Sequence, residues 1–296
     1  MPRWPTPVLV ALTLGVLSFA FAPILVRLAG DAPALAIAGW RTLTAAVVLL
    51  PGLLRSEARA QLRQFAVRDV LLILGAGTFL GLHFVLWIES LFHTTVASAS
   101  IFVTSSPVLL AGLGYLVLGE RLSRPTLLAI GAAVGGAVLL GWSDAGTVTL
   151  GQGALWGNSL ALGAAVFVSV YLLIGRVVRQ AVAWWAYVFP VYATAAVVVL
   201  AAAWIDGTAL LGHPWRVYAC AVGLALGPQI AGHGAFNYAL QRVSAAIVGM
   251  LALLEPVGAS LLAYALFDEV PPPLSIAGMV VVLGAVSVVV WTREAE

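Results

Sequence analysis

Long apolar runs alternate with short polar breaks along almost the whole chain. Ten runs stand out, near residues 7–28, 34–54, 69–91, 95–118, 124–142, 152–174, 184–204, 217–240, 244–266 and 273–292. A helix needs about 20 apolar residues to cross the hydrocarbon core of a bilayer. In lipid each backbone amide and carbonyl must find its partner within the protein, and a helix satisfies them within one segment. The runs lack the apolar/polar alternation of a barrel strand, so they predict helices. The pattern therefore predicts an all-α integral membrane protein with ten transmembrane helices.

The pattern also repeats itself. Ser105 to Glu120 reads SSPVLLAGLGYLVLGE, and Leu254 to Glu269, at an offset of 149 residues, reads LEPVGASLLAYALFDE. At the same offset Pro107 matches Pro256, Glu120 matches Glu269, Leu91 matches Leu240, Ala97 matches Ala246 and Arg27 matches Arg176. Two copies of a five-helix unit, 1–149 and 150–296, account for the chain. Because five is odd, the second copy must be inverted relative to the first. An inverted repeat places a substrate path between its halves near the membrane midplane.

Composition narrows the class further. The chain is 62% hydrophobic and 9% charged, against about 25% charged in soluble domains. The loops are too short for a sizeable soluble domain. One cysteine, Cys220, leaves no intrachain disulfide and no cysteine-cluster metal site. No basic, aromatic-interleaved patch points to nucleic acid. No cofactor motif is present, and without a GxxxxGK[ST] loop the chain has no means of hydrolysing ATP itself. Ala20-Phe21-Ala22 resembles a signal-peptidase site, but the apolar run continues through Pro23 to Leu28. The Arg27–Arg176 match also requires this segment, so it is expected to stay as the first helix.

All fourteen basic residues are arginines, and their placement orients the chain. With a cytoplasmic N-terminus, Arg3, Arg55, Arg59, Arg63, Arg68, Arg121, Arg124, Arg176, Arg179, Arg242 and Arg293 fall inside. Only Arg27 and Arg216 fall outside, and Arg41 lies within the second run. This bias predicts both termini in the cytoplasm. Each copy is edited for its side. Glu120 is followed by Arg121, Leu122, Ser123 and Arg124, whereas Glu269 is followed by Val270 and Pro271 to Pro273.

An inverted five-helix unit with Pro107…Gly119-Glu120-Arg121-Leu122-Ser123 in one copy and Leu254-Glu255-Pro256-Val257…Glu269 in the other resembles the drug/metabolite transporter superfamily, specifically its EamA-type members. The likeness covers nearly the full length. It departs at Asp268, where glycine is usual, which opens the question of that loop's conformation. The aromatic side chains in mid-helix are similar to those of the YddG-type exporters of aromatic amino acids and paraquat-like compounds. The resemblance implies a carrier for small molecules rather than an enzyme.

Candidate path residues are those that lipid would not tolerate. Phe79, His83 and Trp87 lie at i, i+4 and i+8 of the third run and share one face. Such a face could stack a planar ring and offer it a hydrogen bond, or simply pack. Gln229, His233, Asn237 and Gln241 form a polar stripe that begins after Gly227-Pro228, a pair that favours a kink. This stripe is either a wall of the path or hydrogen-bond glue between helices. Trp40, Trp156 and Asn158 sit about one turn in from the outer boundary, where Trp40, Trp87 and Trp156 could form an aromatic cage. The remaining tryptophans, among them Trp184, Trp185, Trp204, Trp215 and Trp291, fall at helix ends as interfacial belts do.

Arg41 and Glu255 are the boldest charges. Either would be costly if buried alone. They could pair and fix the halves together, or work separately, with Arg41 on a substrate carboxylate and Glu255 on an ammonium group or a coupling proton. The expected partners are thus a small-molecule substrate, the bilayer and a candidate coupling proton. The leading function is export of small amphipathic metabolites, most of all aromatic amino acids, by alternating access. A drug cation, a polyamine or a sugar nucleotide is a different cargo for the same scaffold. An intramembrane lipid-modifying enzyme would need a metal cluster or an activated nucleophile, and a channel would need a filter. Neither is apparent in the sequence.

Overall fold

The computed structural model describes residues 4–94, 99, 102–103, 105–145 and 152–295. Among these the chain is helical and contains no strand. Ala97, Ser98, Ser100 and Thr104 of the fourth run lie outside the described residues.

Seven helical segments are long and apolar enough to cross a bilayer: Thr6–Ala29, Ala34–Leu54, Val67–His93, Leu155–Val178, Trp184–Asp206, Ala245–Phe267 and Pro273–Trp291. Two shorter apolar helices, Ser106–Leu118 and Arg124–Leu139, fall within the fourth and fifth runs. The eighth run is built in three parts, an α-helix Trp215–Leu224, a π-helix Ala225–His233 and an α-helix Gly234–Ala239. Pro228 lies inside the π-helix. Its missing amide and bulky ring break the regular ladder, and the widened turn absorbs the defect. The Tyr192 hydroxyl donates to the Gln229 carbonyl at 2.7 Å, satisfying one acceptor of this turn from a neighbouring helix.

Contacts at the two ends of the bundle fix the direction of each helix. At one end Gly30 meets Arg216, and Asp31, Glu89 and Asp206 surround a shallow recess. At the other, Gly52 lies under Trp185, while Gln61 bonds the backbone of Ala181 and Ala183. The Ala34–Leu49 helix therefore runs from the first end to the second. Its counterpart 149 residues later, Trp184–Asp206, runs the opposite way. The same holds for Val67–His93 and for the segment from Trp215 to Leu240, which finishes beside Arg176 and Gln180. Corresponding helices of the two copies are antiparallel.

Small residues allow the central helices to touch. A Cβ on Gly77 would stand 2.6 Å from the Val191 carbonyl oxygen, and one on Gly81 would stand 3.1 Å from that of Ala195. The Val67–His93 helix thus lies directly on Trp184–Asp206, as small-xxx-small spacing permits. The same spacing at Gly131 and Gly135 has no such role, since both face open space. There the close approach is made by Gly136, against the Gly278 carbonyl.

Trp204, Trp215 and Trp291 are strongly exposed at helix ends, in the manner of a belt. Trp184 and Trp185 are not. They stack edge-on at 4.8 Å, Trp184 Nε1 donates to the Gly234 carbonyl at 2.7 Å, and Arg55 lies 4.4 Å over the Trp185 ring. They bind the short Ser56–Arg63 helix and the second copy into one end of the bundle.

Candidate functional site

Arg41 lies in the middle of the Ala34–Leu49 helix and is buried. A buried guanidinium needs acceptors or a π face around it. Its Nε donates to Gln229 Oε1 at 3.2 Å, and its guanidinium carbon lies 3.8 Å from the centroid of the Phe84 ring. Gln229 belongs to the π-helix of the second copy, so this contact joins the two copies at mid-bundle.

Beside Arg41 is a small cavity lined by residues of both copies. The first copy contributes Phe19, Arg41, His83, Phe84 and Trp87. The second contributes Val168, Leu172, His233, Phe236 and Glu255. Glu255 stands in the first turn of the Leu254–Phe267 helix, where the helix N-terminus favours a negative charge. The described ion pairs join Arg27 to Glu269, His93 to Glu89 and Arg176 to Glu120. Arg41 and Glu255 are not such a pair. Both line the same cavity.

His83 Nδ1 lies 2.9 Å from the Ala164 carbonyl oxygen. A carbonyl only accepts, so Nδ1 carries the proton and Nε2 is left as an acceptor. His233 packs edge-on against Phe19 at 4.8 Å and Phe84 at 5.3 Å, with its own Nδ1 unpartnered. The rings of Phe19, Phe84, Phe236, Trp87 and the two histidines share the cavity lining with Arg41 and Glu255.

His83, Trp87, His233, Arg41 and Glu255 thus line one cavity. Other candidates lie elsewhere. Phe79 faces Phe167, with ring centroids 5.8 Å apart, and is not part of the cavity lining. Asn237 sits behind His233, donating to the Tyr171 hydroxyl and to the His233 carbonyl. Its role there is to brace the stripe. Trp40 donates to the Leu210 carbonyl at 2.7 Å and packs edge-on against Tyr218. Asn158 accepts a hydrogen bond from Thr94 Oγ1 at 2.9 Å. Trp156 is 57% exposed and outside the cavity lining, so the foreseen cage of Trp40, Trp87 and Trp156 does not assemble. Position along a helix does not specify the face a side chain takes.

Phe19, Phe84 and Phe236 are lining residues that the sequence did not single out. A phenylalanine is equally at home against lipid, a neighbouring helix or a cavity, and its letter carries no signal. Only for Phe84 was there a hint, its place next to His83 and one turn from Trp87. Among the described residues no three His, Cys, Asp or Glu side chains gather into a metal site.

Two stretches of the sequence, 6–142 and 155–291, each match the model of the EamA-like transporter family. The chain belongs to the EamA-like transporter family. Both matched stretches contribute to the cavity, so it lies between the two EamA units. No curated protein matches the sequence. A solved crystal structure of a protein given no functional name superposes with a TM-score of 0.79, at 19% identity, over 98% of each chain. At that identity the likeness shows the shared fold alone. EamA membership makes the chain a membrane transporter of the drug/metabolite superfamily.

Proposed function

We propose that this EamA-family protein is a secondary transporter of the bacterial inner membrane that exports small amphipathic metabolites, with aromatic amino acids the leading class. Its ten membrane helices form two inverted five-helix halves, 1–149 and 150–296, and alternating access exposes the cavity between them to each side in turn. Both termini lie in the cytoplasm. The gathering of Arg55, Arg59, Arg63, Arg176 and Arg179 at one end of the bundle supports that orientation.

One observation carries the choice of cargo. A cation, Arg41, and a carboxylate, Glu255, face one cavity without pairing, and aromatic rings fill the walls between them. A zwitterion with an apolar ring matches each feature: its carboxylate to Arg41, its ammonium to Glu255 and its ring to Trp87, Phe19 and Phe236. His83 Nε2, an acceptor, suits an indole N–H. The bound solute satisfies both charges at once, so the cavity discriminates against solutes carrying only one of them.

Tryptophan counterflow into proteoliposomes tests this reading. Saturable exchange that is competed by phenylalanine and tyrosine, and poorly by indole or tryptamine, is the expected result. Linear flux, or equal competition by tryptamine, would remove the amino-acid assignment. A drug-cation carrier is the second reading. Glu255 within aromatic walls favours it, whereas the enclosed Arg41 opposes a cationic cargo.

A further inference from the structure

The two ion pairs that join the copies are related by the same offset of 149 that relates the copies themselves. Arg27 Nη1 meets Glu269 Oε1 at 2.6 Å, and Arg176 Nε meets Glu120 Oε1 at 2.8 Å. Arg27 corresponds to Arg176 and Glu120 to Glu269. Each pair is therefore crossed, the arginine coming from one copy and the glutamate from the other. The third described ion pair, His93 with Glu89, is a local contact within one helix.

The crossed pairs sit at opposite ends of the bundle, each on or next to helices that also line the cavity. Arg27 lies in the last turn of Phe21–Ala29, a helix that contributes Ala22 to the lining. Glu269 follows the Leu254–Phe267 helix, which contributes Glu255. At the far end Arg176 lies in the last turns of Gln152–Val178, which contributes Val168 and Leu172. Glu120 follows Ser106–Leu118, which contributes Ser106. The backbone before each glutamate is matched as well. Gly119, at φ 67° and ψ 14°, and Asp268, at φ 56° and ψ 25°, both end their helices in the left-handed conformation. This shared turn presents each glutamate to the arginine of the other copy.

We propose that Arg27–Glu269 and Arg176–Glu120 are the two gate latches of the transporter, broken alternately as one half rocks against the other. The inference rests on the alternating-access reading given above but not on the identity of the cargo. Rocking about the central cavity separates the halves at one end while bringing them together at the other. A pair that crosses between halves at each end is stretched in one state and kept in the other. Exposed ion pairs contribute little to fold stability, yet a small differential between two nearly balanced states is enough to shift their populations.

The latches are unequal. Arg176 also donates from Nη1 to the Leu240 carbonyl at 2.7 Å, and its pair is only 21% and 24% exposed. Arg27 and Glu269 are 52% and 50% exposed, and the Arg27 guanidinium instead lies 4.3 Å over the Phe267 ring. The Arg27 end is therefore the one that opens first from this state.

Accessibility of the cavity from each side tests the proposal without any cargo. A cysteine at Ala252, a lining position, in a Cys220→Ala background is challenged with a membrane-impermeant thiol reagent in right-side-out and inside-out vesicles. Glu269→Gln is expected to speed labelling several-fold from the Arg27 side and slow it from the Arg176 side. Glu120→Gln is expected to do the reverse. The charge-swapped pair Arg27→Glu with Glu269→Arg should restore the parental pattern, which a merely misfolded variant cannot do. Shifts in the same direction for both neutralisations, or no shift for either, overturn the latches. Labelling from neither side in every variant overturns them together with alternating access. Reciprocal labelling in a protein that fails to exchange tryptophan upholds the latches and removes only the proposed cargo.

Discussion

Arg41 Nε donates to Gln229 Oε1 at 3.2 Å, tying the second apolar run of one copy to the π-helical turn of the other. The contact has two consequences. It holds the buried guanidinium by hydrogen bonding and by the Phe84 face rather than by an ion pair with Glu255. It also makes the widened turn at Pro228 part of the site, because that turn carries both Gln229 and His233.

Arg41→Lys should therefore fail as a replacement. Lysine keeps the charge but loses the Nε donor and the flat face that stacks on Phe84. Transport of an aromatic amino acid in proteoliposomes is expected to fall at least ~10-fold, through KM, the scale of losing one charge-assisted contact. Gln229→Leu should act in the same direction, since it leaves the Arg41 Nε–H without its acceptor, at about 1–3 kcal/mol. Unchanged KM for both variants would show that Arg41 does not touch the cargo.

His83 and Trp87 should matter where Trp156 does not. Trp87 and His83 line the cavity, whereas Trp156 is turned outward. Trp87→Ala removes a stacking face worth about 0.5–1.5 kcal/mol beyond its buried area, so KM for tryptophan should rise by ~10-fold or more. His83→Ala should weaken tryptophan more than phenylalanine, because only the indole N–H needs an acceptor. Trp156→Ala should leave KM within about 2-fold, as surface substitutions generally do. Initial-rate measurements with the three variants separate these outcomes.

How far the sequence reaches depends on what the bilayer forces it to display. Lipid demands long apolar runs, so most helices could be placed, and Gly227-Pro228 marked where one would be deformed. Lipid also rejects charge and polarity, so Arg41, His83, His233 and Glu255 stood out as inward-facing. Aromatic residues give no such signal. Phe19, Phe84 and Phe236 line the cavity unnoticed, while Trp40 and Trp156 face elsewhere. The offset of 149 exposed the arginines and glutamates as equivalent positions. That their pairs cross between copies could not be read, because equivalence in sequence says nothing about which partner is near in space.

Gly52→Ala should destabilise the protein without entering the cavity. A Cβ at this position would lie 2.2 Å from Trp185 Cε3, a ring that is itself held between Trp184 and Arg55. The ring cannot retreat without breaking those contacts, so overpacking of about 1–3 kcal/mol is expected. A thermal unfolding assay in detergent should show a lowered Tm, with KM for the cargo unchanged in the protein that remains folded.

The left-handed turns before the two glutamates predict opposite responses to substitution. Gly119 takes φ 67° with no Cβ to clash with the following carbonyl, so Gly119→Ala should cost roughly 1–2 kcal/mol. Asp268 already bears that strain at φ 56°, the one non-glycine residue with positive φ among the described residues. An aspartate tolerates this region better than most side chains. Asp268→Gly should therefore be neutral or raise stability by up to about 1 kcal/mol, the gain set by relief of strain against the extra entropy of glycine in the unfolded chain. Thermal unfolding of the two variants should give Tm shifts of opposite sign, or a fall for Gly119→Ala beside no change for Asp268→Gly. Equal falls in both would mean that the Asp268 side chain is needed for more than the turn.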